Sequence, residues 1–195
     1  MPKRMLTEAD ILPAAEYAKN RAEYRRKVSA KKRNRRIEVG PNITFYFECY
    51  ETMWLQVQEM VYIEKGGADQ VPGELEAYNP LIPNGSELTA TFMIEIDDPI
   101  RRKRVLDGLG GIEETAFIRV GGETINGVPE ADADRTSAEG KASSVQFVHF
   151  PFTVDQIAAF SSPNAEVILG LNHPNYRHMA VISEDVRAEL TTDFG

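Results

Sequence analysis

In this sequence of 195 residues, two carboxylates and two histidines are candidates for binding a metal or for acid–base chemistry. Imidazole is the commonest metal ligand in proteins and titrates near neutrality. Two histidines and one carboxylate can hold iron with open coordination positions. We therefore take Glu48, Glu59, His149 and His173 as candidate ligands for iron or another divalent metal.

Each of these residues also has a structural interpretation. His149 alternates with apolar residues, as a core histidine satisfied by hydrogen bonds would. In the structural interpretation, His173, which precedes Pro174, shapes a turn and has no further role. Glu59 then pairs with an arginine of the N-terminal segment. Spacing alone leaves both interpretations open.

The stretch 43–65 carries both candidate carboxylates. Apolar residues alternate over 43–48, which predicts a strand that ends near Glu48. Glu59 lies about two turns into the helix that follows, and a strand usually packs against the next element. Two carboxylates that share one pocket need a compensating cation, arginine or histidine, because like charges repel in a low dielectric.

Apolar residues then cover most of the circumference of a helix over about 52–64, which predicts a central and largely buried helix. We expect Trp54, Val57 and Val61 to lie inside. The same helix carries Gln56, Gln58 and Glu59. Buried polar groups cost free energy unless they are hydrogen-bonded, so other parts of the fold must supply partners for these side chains.

A strand over Glu166–Leu171 would bring the following polar loop, 173–178, to the end of the sheet. We therefore hypothesise one ligand-binding pocket formed by Glu48, Glu59, His173 and Tyr176, which would hold a metal or a small ligand.

The remaining pattern predicts an α+β fold, with a mixed or antiparallel sheet, packed helices and a basic N-terminal helix. The strands are expected over 36–50 with a break at 40–42, and over 87–96, 115–120, 143–150 and 164–171; the helices over 13–33, 72–78, 100–109 and 154–160, and after Ser183. Residues 87–171 have the element order of a split βαβ sandwich. We interpret 121–140 as an exposed hairpin or loop, 1–36 as a helical arm and 37–195 as a single α+β domain.

The charge is distributed unevenly along the chain. Residues 21–36 hold nine Lys or Arg and one acid, so this segment carries +8 and the remainder −16. A basic helix is typical of nucleic-acid binding. However, an acidic body repels phosphate and offers internal partners, so we predict that this segment is not a nucleic-acid site.

The sequence has no apolar run of membrane-spanning length and its N-terminus lacks the apolar core of a signal peptide. We therefore expect no membrane association and a cytoplasmic protein. Cys49 is the only cysteine, which excludes an internal disulfide and a zinc or iron–sulfur site built from several cysteines of one chain. A thiol within an apolar strand is typical of a small core residue.

Four runs of the chain, in their order and spacing, resemble the uncharacterised bacterial family called domain of unknown function 3501. They are FYFECYETMWLQVQEM, ELEAYNPLIPNGSELTATFMIEI, SSVQFVHFPFT and LGLNHPNYRH. The similarity extends from about Leu6 to Leu190. The residues that match the polar motif of the family are Glu48, Glu51, Thr52, Gln56, Glu59, Tyr78, Asn79, Pro80, His173, Pro174 and Tyr176.

The resemblance implies no particular enzymatic activity, but it does imply the cellular process in which the protein acts. Members of this family often occur beside rubrerythrin-like and iron–sulfur oxidoreductase proteins, which implies a cytoplasmic redox or oxidative-stress role. Val61 and Tyr62 depart from the family, whose members tend to have a basic residue at this place. The departure weakens the case for an anion site on that helix.

Three functions are compatible with these observations. The first is an accessory protein that binds a rubrerythrin-like or iron–sulfur partner. The second is a metal-dependent oxidoreductase, for which non-haem iron is one candidate metal. The third is a nucleic-acid-binding protein that acts through the basic N-terminal helix. The sequence identifies neither the ligand nor the oligomeric state. Both a monomer and a homo-oligomer are compatible with it.

Overall fold

The computed structural model describes residues 3–130, 136 and 140–195, and within them the chain forms six α-helices and nine strands. The helices are α1 (Ala14–Lys32), α2 (Tyr50–Glu64), α3 (Val71–Tyr78), α4 (Pro99–Asp107), α5 (Val154–Ser161) and α6 (Glu184–Thr191). The strands are β1 (Arg36–Val39), β2 (Ile43–Phe47), β3 (Glu87–Ile94), β4 (Ala116–Val120), β5 (Glu123–Asn126), β6 (Val128–Pro129), β7 (Val145–Pro151), β8 (Val167–His173) and β9 (Tyr176–Val181).

The strands form two antiparallel sheets, so the expected α+β class is confirmed. The first sheet has the order β1-β2-β3-β7-β6 and the second the order β5-β4-β8-β9. One hydrophobic core takes residues from both sheets, including Phe45 and Phe92 of the first and Ile118 and Leu169 of the second. Because β1 also lies against β9 and β5 against β7, the sheets approach each other along both sides.

Helices cover the outer face of the first sheet. A second apolar cluster unites Leu6 with Val57 and Val61 of α2 and Leu75 of α3, and Phe147 of β7 packs against it. Burial of Val57 and Val61 was expected from their spacing and is confirmed. The central strand β3 is consequently buried on both faces: Leu88 and Phe92 face the first core, while Thr89 and Thr91 on the opposite face are also buried.

Helix α2 begins and ends with recognisable local signals. Cys49 precedes it in an extended conformation, and its backbone N–H donates to the hydroxyl of Thr52 at 2.9 Å, which satisfies one of the donors at the start. Lys65 follows the helix in the left-handed conformation, and Gly66 and Gly67 come directly after it.

Two of the expected loops contain strands in the structure. Within 121–140, which we interpret as a hairpin or loop, β5 forms a hairpin with β4 and β6 follows it; residues 131–135 and 137–139 lie outside the described residues. The expected polar loop 173–178 is a tight hairpin, in which β8 and β9 pair up to His173 and Tyr176. Burial alternates along β9, but its exposed face carries the apolar side chains of Met179 and Val181, so its sequence lacks the alternation of apolar and polar residues that predicts a strand.

The split βαβ arrangement is not formed. Strands β3 and β7 pair in the first sheet, whereas β4 and β8 pair in the second. Element order alone could not distinguish one sheet from two, because partner choice depends on which apolar faces meet. None of the helices in the described ranges is long and apolar enough to cross a membrane.

Candidate functional site

The polar side chains of α2 attach the N-terminal segment to the body. Gln58 accepts from the backbone N–H of Leu12 at 3.3 Å and donates to its carbonyl at 3.4 Å. Gln56 donates to the hydroxyl of Tyr78 at 3.2 Å. These hydrogen bonds provide the partners that the buried helix required, so the polar residues have a structural role.

Glu59 is bound by helix α1. Arg21 donates from Nε at 2.8 Å and from Nη2 at 2.7 Å, and the hydroxyl of Tyr17 donates to the same carboxylate. The paired guanidinium of Arg21 is the main cause that lowers the pKa of Glu59 below its ordinary value. The structure therefore gives Glu59 the N-terminal arginine partner that we had kept as the alternative to a ligand role.

Aromatic rings surround this ion pair. Tyr17 stacks on Tyr24 with a centroid distance of 5.7 Å, and Trp54 meets both rings edge-on. Tyr62 lies under the guanidinium of Arg21 at 4.9 Å, which adds a cation–π contact. Trp54, which we expect to lie inside, is half-buried: it packs against the second apolar cluster, and its indole N–H donates to the backbone carbonyl of Asp10 at 2.8 Å.

Glu48 follows β2 and lies against β3, in surroundings that differ from those of Glu59. It is 4% exposed, and one carboxylate oxygen accepts from the hydroxyl of Thr91 at 2.8 Å. The other oxygen is buried and has no hydrogen-bond partner among the described residues. Its contacts belong to β3 and not to α1, where Glu59 is bound.

His173 and Tyr176 flank the hairpin between β8 and β9. His173 accepts the backbone N–H of Asn175 at Nδ1, 3.2 Å, so Nε2 carries the proton that it donates to the carbonyl of Gly110 at 3.1 Å. Tyr176 donates to the carbonyl of Val39 at 2.8 Å and accepts from the backbone N–H of Asn42 at 3.0 Å.

The turn between β1 and β2 is built around this tyrosine. Gly40 has φ +71°, and a Cβ there would lie 2.7 Å from the hydroxyl of Tyr176 and 2.5 Å from the ring of His178. The position therefore requires glycine for both its conformation and its close approach. Tyr176 thus links the two sheets, and its buried hydroxyl is fully engaged.

His149 connects three strands. Its Nδ1 lies 3.2 Å from Glu87 of β3 and its Nε2 lies 2.8 Å from Glu130, which follows β6. The hydrogen bond to Glu87 is the largest cause that raises the pKa of His149 above its ordinary value, against the opposing effect of burial. With a carboxylate at each ring nitrogen, the imidazole is arranged to carry a proton.

The structure does not assemble the candidate residues into one site. The partners of Glu48, Glu59, His149 and His173 are all different, and Tyr176 contacts the turn after β1. Within residues 3–130, 136 and 140–195, no group of three or more His, Cys, Asp or Glu side chains could hold a metal ion. These donors do not fit the metal site that we hypothesised, and we derive no chemistry through one.

The structure instead contains a pocket that sequence analysis missed. It has a volume of about 620 Å³ and opens where the N-terminal residues, the end of α1, the start of α2 and the C-terminal segment meet. Lys31, Cys49, Glu51, Glu189 and Asp193 are among the residues that line it. Their positions are far apart in the sequence, so no local motif could reveal the pocket.

Charges alternate in sign along one wall of this pocket and in the buried layer behind it. Lys31 lies 3.0 Å from Glu51 and 3.7 Å from Glu189, and Arg35 lies 3.1 Å from Glu189 and pairs with Asp193. Arg35 is 1% exposed. It also donates to the carbonyls of residues 47 and 48 at 3.0 and 2.9 Å, which joins the end of β2 to the C-terminal segment.

Cys49 is the nucleophile of this pocket by residue type, but its surroundings keep it protonated. Burial is the main cause that raises its pKa above the ordinary 9.0, and Arg35 opposes the effect only in part. The thiol donates to Glu51, with the sulfur 3.3 Å from Oε2. Since the thiolate is the reactive form, this cysteine is poorly placed for attack at neutral pH.

The outer face of α1 differs from the pocket. Five of the nine cations over 21–36 are in ion pairs with carboxylates of the same chain: Arg21, Lys31, Arg35 and Arg36 pair with the acidic body, as we expect, and Lys27 pairs with Glu23 of the same segment. Arg25, Arg26 and Lys32 instead line a shallow groove of about 530 Å³.

Comparisons with known proteins agree on the family. A family model described as "Protein of unknown function (DUF3501)" matches residues 5–194. The crystal structure of a novel protein of unknown function from Burkholderia pseudomallei is 34% identical, with a TM-score of 0.90, and the match covers 98% of this chain and 100% of that one. No curated protein matches the chain. Among the polar residues of the recognised runs, Glu59 attaches α1, Thr52 caps α2 and His173 closes the hairpin. The chain belongs to the DUF3501 family of proteins of unknown function.

Proposed function

We propose that this protein is a cytoplasmic accessory protein that acts by binding a redox partner rather than by catalysing a reaction itself. The partner would be a rubrerythrin-like or iron–sulfur oxidoreductase, as the family resemblance implies. One observation carries the choice of binding over catalysis: most of the ionisable side chains that the sequence singled out are held by their own chain.

The state of these groups supports the proposal. Glu59 is a weak base, because Arg21 holds its carboxylate and lowers its pKa. Cys49 is a weak nucleophile, because burial raises the pKa of its thiol. His149 is engaged at both ring nitrogens and His173 at both of its own. A general acid, base or nucleophile must reach its substrate, and these side chains are committed to structural contacts instead.

Direct binding measurements test the proposal. The purified chain is titrated, by calorimetry or biolayer interferometry, with a purified rubrerythrin-like protein and an iron–sulfur oxidoreductase encoded in the same genome. A protein of near-neutral net charge without a redox centre serves as the control. Saturable binding to one redox protein and not to the control is expected, and its absence for both would refute the proposal.

A metal analysis addresses the enzymatic alternative. The chain is purified with and without added iron, and its metal content is compared with that of the His173→Ala variant. We expect no stoichiometric metal that depends on His173, because the hydrogen bonds of this side chain are to backbone groups. Stoichiometric iron that is lost in the variant would instead support the metal-dependent oxidoreductase.

A further inference from the structure

We propose that the outer face of α1 is a docking surface for an acidic segment of a partner protein. Its residues are Arg25, Arg26 and Lys32, which border the groove, and Arg33 next to them. The inference rests on the proposed accessory function and adds the chemistry that the partner must present.

The pairing of charges within α1 separates this face from the rest of the basic segment. Among the described residues, neither an ion pair nor a side-chain hydrogen bond is found for any of these four cations, whereas the other five are all paired. Arg25 lies near enough to Glu59 to contribute to the lowering of its pKa, but it is the smallest contributor. The four positions are spaced one, seven and eight residues apart, so two helical turns bring them to one side of the helix.

The groove beside them offers apolar surface between the charges. Ala22 and Val28 of α1 and Leu55 of α2 line it together with the cations and the hydroxyl of Ser29. Val28 is buried and Leu55 is half-buried, so the floor is formed where the two helices meet. A partner segment with one apolar side chain between carboxylates would match this arrangement in both polarity and charge.

Charge favours a carboxylate-bearing partner. Four unpaired cations on one helix face repel one another, and an acidic segment would relieve that repulsion. The planar guanidinium groups of Arg25 and Arg26 can each take a carboxylate with two parallel hydrogen bonds. The chain as a whole carries −8, so an encounter would be steered to this face and away from the remaining surface.

The same charge distribution disfavours nucleic acid as the occupant. A duplex extends its phosphates beyond a single helix face and would meet the acidic remainder of the molecule. Screening limits an exposed charge to about 8 Å at physiological salt, so a short acidic segment can interact with this face alone.

The test uses a fluorescent peptide with one leucine between glutamates as the probe, and anisotropy at about 0.15 M salt as the readout. The charge-reversal variant Arg25→Glu/Arg26→Glu is compared with Lys103→Glu/Arg104→Glu. The control reverses two adjacent exposed cations on α4 and changes the net charge equally. Circular dichroism and thermal unfolding verify that both variants fold.

We expect the Arg25/Arg26 variant to weaken peptide binding about tenfold or more and the α4 control to change it about twofold or less. Equal loss in both variants would show a general charge effect and overturn the proposal. Unchanged binding in the Arg25/Arg26 variant would overturn it as well. Tighter binding of a DNA or RNA duplex than of the peptide would assign the face to nucleic acid instead, which also refutes it.

The same variants separate this inference from the proposed function. If a purified redox partner binds the wild-type protein and the Arg25/Arg26 variant equally, the docking surface is wrong and the accessory function stands. If the peptide depends on Arg25 and Arg26 but neither redox protein binds, the surface stands and the proposed function is wrong.

Discussion

Replacing Arg35 with methionine should destabilise this protein more than any exposed substitution of the basic segment. Arg35 is 1% exposed and holds four partners: two carboxylates, Glu189 and Asp193, and two backbone carbonyls at the end of β2. Methionine fills a similar volume but donates no hydrogen bond. The substitution therefore tests whether this arginine secures the C-terminal segment to the start of α2.

The expected cost comes chiefly from Asp193. Burial already raises the pKa of this carboxyl, and Arg35 is the main group that opposes the rise. Without the guanidinium, only the weaker attraction of Lys31 offsets the burial of Asp193, and removing one partner of a buried ion pair costs about 3–5 kcal/mol. That is a large share of a typical unfolding free energy of about 5–15 kcal/mol.

The neighbouring residue provides a matched control. Arg36 also pairs with a carboxylate, Glu38, but the two side chains are 51% and 65% exposed. Exposed pairs contribute about 0–1 kcal/mol, so Arg36→Met should change stability little. Both variants remove one positive charge from adjacent positions, and they differ in burial and in the number of partners.

Urea unfolding followed by far-UV circular dichroism and by the fluorescence of Trp54 gives the free energies. In the double variant Arg35→Met/Asp193→Asn, loss of the unpaired charge should restore part of the stability that Arg35→Met removes. If Arg35→Met and Arg36→Met lower the unfolding free energy equally, the buried network does not stabilise the fold and the reasoning is refuted. Failure of the double variant to recover any stability would assign the cost to the lost carbonyl contacts instead.

Three further predictions concern other contacts. The hydrogen bond to Glu87 is the main cause that raises the pKa of His149 in the folded protein above its ordinary 6.5. Protonated His149 should therefore stabilise the fold fully below about pH 6.5, and this contribution should be lost as the pH rises through the pKa of the folded state. The stability difference between wild type and His149→Gln in urea should therefore be larger at about pH 6 than at about pH 8.5, and a constant difference would contradict this. Tyr176→Phe should cost about 1–2 kcal/mol in the same assay, because it leaves buried backbone groups near Gly40 without a partner, and a neutral result would show that water replaces the hydroxyl. Cys49 should react with iodoacetamide slowly in the native protein and rapidly in urea, because burial raises the pKa of its thiol; equal rates would mean an accessible thiolate.

Sequence alone predicted the parts of the fold that local periodicity encodes. The alternation in β3, the break between β1 and β2 at 40–42, and the apolar circumference of α2 all correspond to elements of the structure. Side-chain direction repeats every two residues in a strand and every 3.6 in a helix, so burial on one face leaves a readable pattern. The burial of β9 alternates in the same way, but its sequence shows no such pattern, because the residues on its exposed face include the apolar Met179 and Val181.

The distribution of charge in the sequence also predicted the ion pairing of the N-terminal helix. A segment of +8 beside a body of −16 predicted that its cations would find carboxylates of that body, and four of them do, while Lys27 pairs with Glu23 of the segment itself. The sequence did not reveal which ones. Pairing depends on which helix face meets α2 and α6, and this is set by packing of Tyr17 and Val28 against the body.

Tertiary structure alone decided where the candidate residues lie. Glu59 faces α1 and Glu48 faces β3, although only eleven residues separate them, because the direction of a side chain depends on the turn from β2 into α2. The pocket around Cys49 joins residues from both ends of the chain, such as Lys31 and Asp193. The sequence thus determined the class of fold and the charge of its surfaces, whereas the contacts between distant segments determined the site, because such contacts follow from packing and not from spacing along the chain.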